Sequence, residues 1–335
     1  MRRIGLDRDT VVRGTLAILL VAVVGVGFIA SYAGALHDPI PHDVALAVAG
    51  PPRLAASLEK GDAFRVHRVA DAAAALRDVD ERRAYGAVVA GGDGESLRVV
   101  VAPAASPVVA DVIRSELVPP LRGNDTPVTV TTVHPLPDRD VRGLVPFYVA
   151  VGWVVAGYLG ATLLGLGFGT RPGLAHVGWR LAALAALGIL VGVGGALTGR
   201  AIGGFGGSWL GTGAVGALTV FAVGATTVAL QAVMGILGTG VAILIFVVLG
   251  NPSSGGPFAT ELLPGPWRAV GPLIPTGAAV TSVRDLAYFP RASLMGPLLV
   301  LVAWGAAGAA VAGLVGGRRT ERSEAEGSMA AAAAP

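Results

Sequence analysis

Residues 145–250 read VPFYVAVGWVVAGYLGATLLGLGFGTRPGLAHVGWRLAALAALGILVGVGGALTGRAIGGFGGSWLGTGAVGALTVFAVGATTVALQAVMGILGTGVAILIFVVLG. They contain no Asp, Glu or Lys and only three Arg, at Arg171, Arg180 and Arg200. Soluble domains carry about a quarter charged residues, so a stretch of this length with almost none is not an ordinary soluble domain. It reads as transmembrane helices, each needing about 20 apolar residues to cross the hydrocarbon. The three arginines fall where the apolar runs break, and so read as loop markers rather than buried ions.

These breaks divide the stretch into spans at 145–168, 181–197, 209–230 and 232–250. Two more apolar runs flank it, at 14–36 and 294–315. The first competes with a secretory signal, because Ala33-Gly34-Ala35 resembles a cleavage site. Signal cores run only about 7–15 residues, so the longer run reads as a retained anchor. The expected fold class is therefore membrane α-helical, with six transmembrane helices.

Between the first two spans, residues 37–143 change character, with 12 Lys/Arg and 15 Asp/Glu. Period-two apolar stretches alternate with helical ones. Strands are expected at 44–49, 64–69, 85–90, 97–102 and 128–134, and helices at 51–59, 71–79 and 106–117. Asp71 is placed to cap the second helix, and Gly91-Gly92-Asp93-Gly94 to turn between two strands. The order βαβαββαβ predicts one α/β domain with a mixed sheet. The layout is then a short N-terminal segment (1–13), a first span (14–36), an extracytoplasmic α/β domain (37–143), a five-helix block (144–316) with an external hairpin at 251–291, and a disordered tail (317–335).

Arginines in short flanks orient the chain by the positive-inside rule. The N-terminal segment, the 170–180 break and Arg318, Arg319 and Arg322 fall on one side, taken as the cytoplasm. Both termini are then cytoplasmic in a multi-pass protein of the bacterial plasma membrane. Within the hairpin, Asn251 and Pro252 end the fifth span, and two short helices are expected to dip into the outer interface. Trp267 would lie at headgroup level, with Glu261, Arg268, Arg284 and Asp285 facing water. Small residues four apart, Gly305, Ala309, Gly313 and Gly317 on the last span and Gly188 and Gly192 on the third, suit close helix packing, including a subunit interface.

Several functions are excluded or unsupported. The chain has no Cys, which removes disulfides, thiolate metal sites and Cys nucleophiles. A net charge of +3 without a basic patch does not suggest nucleic-acid binding. No P-loop is present, the five His are scattered, and neither a catalytic grouping nor a cofactor or metal site stands out. No span carries an ionisable residue in its interior on this reading, so any transport would draw energy from a partner.

One span, a large external domain, then five spans with an external hairpin before the last resembles the type-2 ABC exporter permeases and the related phage-infection-protein-like membrane proteins. The local matches are Arg142-Gly143-Leu144-Val145-Pro146-Phe147-Tyr148 leading into Gly152-Trp153, and Asn251-Pro252-Ser253-Ser254-Gly255-Gly256 with Leu262-Leu263-Pro264 and Pro272-Leu273-Ile274-Pro275. The resemblance implies a homo- or heterodimer in membrane lipid, served by a separate cytoplasmic ATPase. The ATPase would dock on Arg2, Arg3 and Arg8 before the first span and on Arg171, His176 and Arg180 between the second and third, although Pro172 and Gly173 interrupt the coupling helix the family usually carries there. The expected function is export of a lipid, glycan, peptide or amphipathic compound. The alternative is a non-transporting envelope protein whose external domain binds a partner.

Overall fold

A computed structural model describes residues 7–59, 62–92, 96–123 and 126–332. Arg2, Arg3 and part of the turn expected at 91–94 lie outside them. A long helix α1 (Arg8–Leu36) leads into the α/β domain: β1 (Val44–Ala49), α2 (Pro52–Leu58), β2 (Phe64–Arg68), α3 (Ala72–Asp80), β3 (Gly86–Ala90), β4 (Leu97–Val101), α4 (Pro107–Val112), a π-helical turn, α5 (Val118–Arg122) and β5 (Val128–Thr132). The sheet order is β2-β1-β3-β4-β5, parallel throughout except for the antiparallel β3–β4 pair. The expected mixed sheet is therefore present. Local signals place its helices. Asp71 accepts from Ala74 N at 2.7 Å and Ser106 from Val109 N at 3.3 Å, each satisfying a helix N-terminal donor. Pro52 and Pro107 occupy first-turn positions where no N–H is needed.

β1 is buried along its whole length, and its alternating side chains feed two cores. Val44, Leu46 and Val48 pack toward α2 and α4, with Ile113, Leu117 and Val118; Ala47 and Ala49 pack toward α3. Neither core is completed by the domain's own residues. Ala259 and Leu262 enter the first and Phe289 the second, all from the segment after the fifth apolar stretch. Phe289 is 1% exposed, a burial that stabilises by about 2–3 kcal/mol.

The helical block comprises α6 (Val145–Phe168), α7 (Leu174–Gly203), α8 (Trp209–Met234), α9 (Leu237–Ile243) continued by a π-helical stretch (Leu244–Leu249) into α10 (Gly250–Ser253), then α11 (Gly265–Val270), α12 (Pro275–Tyr288) and α13 (Met295–Ala332). Among the described residues, five helices are long and apolar enough to cross a membrane: α1, α6, α7, α8 and α13. The chain is a multi-pass membrane protein. The segment expected as a span at 232–250 is a shorter apolar helix, Leu237–Ser253. Its π-helical stretch has a local cause. Pro252 cannot donate to the carbonyl four residues back, so the ladder shifts. Hydroxyls add hydrogen bonds to nearby carbonyls of this stretch: Ser253 Oγ donates to Leu249 O at 2.6 Å and Thr276 Oγ1 to Phe246 O at 3.0 Å.

α8 is the hub, packed by α6, α7, α9, α12 and α13. Small residues let the backbones meet. A Cβ on Gly188 of α7 would stand 2.7 Å from Ala217 O, and one on Gly308 of α13 would stand 2.5 Å from Thr226 N. α1 lies at the periphery beside α9 and the π-helical stretch, running parallel to them, with Leu20 over Gly240 and Val248 beside Gly27.

Several expectations are corrected. The third span is longer than 181–197, because helix resumes at Leu174 directly after a turn at 169–173. The break expected between the spans at 181–197 and 209–230 shrinks to 204–208, since α7 runs to Gly203 and Gly204 caps it with φ +66°. The tail expected to be disordered is helical through Ala332. Its Ala residues favour helix, and Arg318/Glu321 and Arg322/Glu326 stand at supportive spacings.

Candidate functional site: a polar junction between sheet domain and helices

α12 is the element that builds the site. Its sequence PTGAAVTSVRDLAY places Arg284 and Asp285 in an otherwise apolar helix. Both are 4% exposed, because α12 is wedged against α6, α8 and α13 on one side and the sheet domain on the other. The expectation that Arg284 and Asp285 face water is therefore overturned. A buried charge must be paired or hydrogen-bonded, and the partners come from far away in sequence. Arg82, just after α3, forms an ion pair with Asp285 and lies 6.0 Å from the Phe289 ring. Arg82 holds φ at +57°, a left-handed conformation that aims its side chain across the junction. Arg284 donates from Nη1 to Gly255 O at 2.9 Å and from Nη2 to Gly256 O at 3.3 Å.

Other contacts ring this pair. Tyr85 Oη donates to Glu261 Oε2 at 2.7 Å, and His42 N to Glu261 O at 2.8 Å. Arg268 pairs with Asp43 at 3.3 Å. Arg291 pairs with Asp80 at 2.8 Å, and His134 bridges Asp80 Oδ1 at 2.8 Å to Tyr288 O at 3.1 Å. Tyr288 Oη donates to Asp140 Oδ2 at 3.4 Å, while Asp140 caps α6 by accepting from Leu144 N and Val145 N at 3.0 and 2.9 Å.

The electrostatics follow from burial against pairing. Burial pulls the Arg82 guanidinium down, but Asp285, Tyr85 and Glu261 outweigh it and hold it above the ordinary arginine value. Burial lowers Arg284 to about 10, with Arg82 adding like-charge repulsion. Burial raises Asp285 more than Arg82 and Arg284 lower it. Tyr85 and Tyr288 are raised by burial and by the neighbouring Glu261 and Asp140 carboxylates. The phenols stay protonated donors. The arrangement contains no nucleophile held by a base. It is a latch of ion pairs and hydrogen bonds that ties the sheet domain to α12.

The described residues among those expected to dock an ATPase differ in exposure. Arg8, Arg171 and His176 are exposed, but Arg180 is fully buried in the bundle. It lies inside α7, and its Nη2 donates to Ala161 O at 2.9 Å and Gln231 Oε1 at 2.5 Å. Gln231 in turn donates to Thr239 Oγ1 at 2.9 Å. Gly165 leaves the space, since a Cβ there would stand 2.8 Å from Gln231 Oε1. Arg180 is therefore a buried ion and not a loop marker, and a membrane-length helix does carry an ionisable residue. Arg200 also sits on α7, exposed, donating to Gly207 O at 3.2 Å.

Of the hairpin residues, Asn251 and Pro252 are buried, and Trp267 reaches α1 by donating to Ser31 Oγ at 3.0 Å. Of the small-residue positions, Gly188 and Gly192 pack on α8 and Gly305 meets Phe221 and Ala222 of the same helix. Gly313 meets nothing within 4 Å and Ala309 is half-buried. The buried line on α13 is instead Leu301, Gly305, Gly308, Ala312 and Gly316. Sequence reasoning missed Arg82, Tyr85, Asp80, His134, Asp140 and Tyr288. The one available signal was Arg284-Asp285 inside an apolar helix.

A groove of about 380 Å³ lies between α6 and α7. No family model, no curated protein and no solved structure matches this chain.

Proposed function

We propose that this chain is a permease-like membrane subunit that exports a lipid, glycan, peptide or other amphipathic compound, driven by a separate ATPase. In this reading Leu237–Ser253 supplies a sixth crossing, the sheet domain stands outside the bacterial plasma membrane, and both termini are cytoplasmic. The carrying observation is the latch. A short helix carrying one buried Arg-Asp pair, α12, is inserted among α6, α8 and α13 and tied by Arg82–Asp285 to the sheet domain, with Tyr85–Glu261 tying the segment before it. A helix so placed couples movement of the bundle to movement of the domain, which is what alternating exposure of a cargo requires. Arg171, Arg318 and Arg322 gather at the end of the bundle away from the sheet domain, in agreement with that end being cytoplasmic.

The test is purification in mild detergent followed by reconstitution. Recovery of a stoichiometric ATPase, and ATP-dependent release of a fluorescent lipid that stops on Asp285→Ala, support export. Recovery of the chain alone, with no ATPase encoded beside its gene, opposes it.

A second reading, a non-transporting receptor whose outer domain binds a partner, is favoured by one observation. The turn at 169–173 holds no coupling helix, and Arg180 faces inward. Deletion of the sheet domain with partner binding intact would remove that reading.

A further inference from the structure

The groove between α6 and α7 adjoins the latch but holds none of its ion pairs. Tyr148, Gly152 and Trp153 line it from α6, and Val191, Gly195 and Thr198 from α7. These lie in the halves of both helices nearest the sheet domain. The groove is built by two glycines with opposite roles. Gly195 lets Trp153 lie flat across α7, because a Cβ there would collide with the indole, and Trp153 Nε1 is fixed by donating to Val191 O at 3.1 Å. The indole, 1% exposed, is thereby a buried support beneath the groove. Gly152 leaves the notch above it, since a Cβ there would meet no atom within 4 Å. The volume of about 380 Å³ falls at the lower end of the 300–1,000 Å³ typical of small-molecule sites.

The lining itself is uncharged, and positive charge stands at the sheet-domain end of the two helices. Arg139 donates to Ala201 O at 2.9 Å, beside the groove residue Ile202, and exposed Arg142 lies three residues before the groove residue Val145, in the turn that leads into α6. Among the described residues neither arginine, nor nearby Arg200, has an ion-pair partner. Of the acidic groups here, Asp138 is exposed, and Asp140 is buried and taken up by the N-terminus of α6. An apolar slot opening sideways from membrane-length helices, with positive charge at one end, fits one kind of occupant. We propose that it binds a lipid-type amphiphile, with one apolar chain in the notch at Gly152 and an anionic headgroup at Arg139 and Arg142. The site stands whether the lipid is cargo or a permanent companion, so it does not depend on the export reading.

The test uses the full chain, purified in the presence of equal amounts of dioleoyl phosphatidylglycerol and dioleoyl phosphatidylcholine, with retained lipid counted by native mass spectrometry. The wild type should keep phosphatidylglycerol in preference to phosphatidylcholine. Gly152→Leu fills the notch without a clash and should remove the retained lipid. Gly194→Leu, an equal addition at an open position off the groove, should not. Arg139→Gln and Arg142→Gln should each lower the headgroup preference about fivefold while leaving retention of phosphatidylcholine unchanged. Equal lipid retention by wild type and Gly152→Leu overturns the proposal. So does a loss of dimer on Gly152→Leu with lipid unchanged, which would make the groove a contact between two copies.

Discussion

Arg82 concentrates the physics of the junction in one side chain. Replacing it with Ala leaves the Asp285 carboxylate buried without its partner, and breaking a buried pair this way costs about 3–5 kcal/mol. Arg82→Gly should be milder than Arg82→Ala by about 1–2 kcal/mol, because Ala keeps the left-handed backbone strain that Gly relieves. Melting curves of the detergent-solubilised variants measure both. Asp285→Ala added to Arg82→Ala should cost much less than the two singly, since the second change removes the stranded charge. Asp78 supplies a pH test. Burial raises its carboxyl, but Arg83 and His67 outweigh this and hold it below the usual range. A depressed carboxylate contributes stability above its unfolded pKa, about 3.9, and loses it as pH falls through the lower folded value. The ion pair of Asp78 with Arg83 should thus be intact at neutral pH and fade in that acid window. Asp78→Asn should flatten that acid limb in a thermal-stability profile, and an unchanged limb would contradict the assignment.

At the scale of elements, what holds the block together is backbone meeting backbone at α8. Gly188→Val forces a side chain onto the Ala217 carbonyl, which is helix backbone and cannot step aside, so a loss of about 1–3 kcal/mol is expected. Gly313→Val points into open space and should be neutral in the same melting assay. The contrast explains what could be read from sequence. The strands and helices of the sheet domain announce themselves through period-two alternation and caps at Asp71 and Ser106, all signals within a few residues. Gly305 and Gly313 share the same spacing rule, yet only one is covered, because periodicity marks a stripe and not the neighbour that fills it. Arg180 misled for a related reason. Hydropathy places a break at a charge, but α7 carries this charge through, turned into the space that Gly165 leaves on α6 and toward Gln231 on α8. The latch was illegible for the plainest reason: its partners, such as Arg82 and Asp285, stand about two hundred residues apart.

At the scale of the whole molecule, the sheet domain and the helices are one fold rather than a cap on a stalk. Ala259, Leu262 and Phe289 complete both cores of the domain, so residues 37–143 alone lack part of their own interior. The ion pairs at Asp43, Asp80 and Arg82 lie on the same seam as those apolar plugs. Movement of α12 therefore cannot leave the domain behind. This rigidity makes sidedness a property of the entire chain, and the absence of Cys makes it measurable. Val141 is 71% exposed at the domain end, and His176 is exposed near the opposite end of α7. In the proposed orientation, Val141→Cys reacts with a membrane-impermeant maleimide in intact cells, and His176→Cys reacts only after permeabilisation. Labelling of His176→Cys in intact cells with Val141→Cys protected would invert the molecule, placing the sheet domain in the cytosol and removing the export proposal. The lipid groove would survive that inversion, because Trp153 and Gly152 keep their geometry whichever leaflet they face.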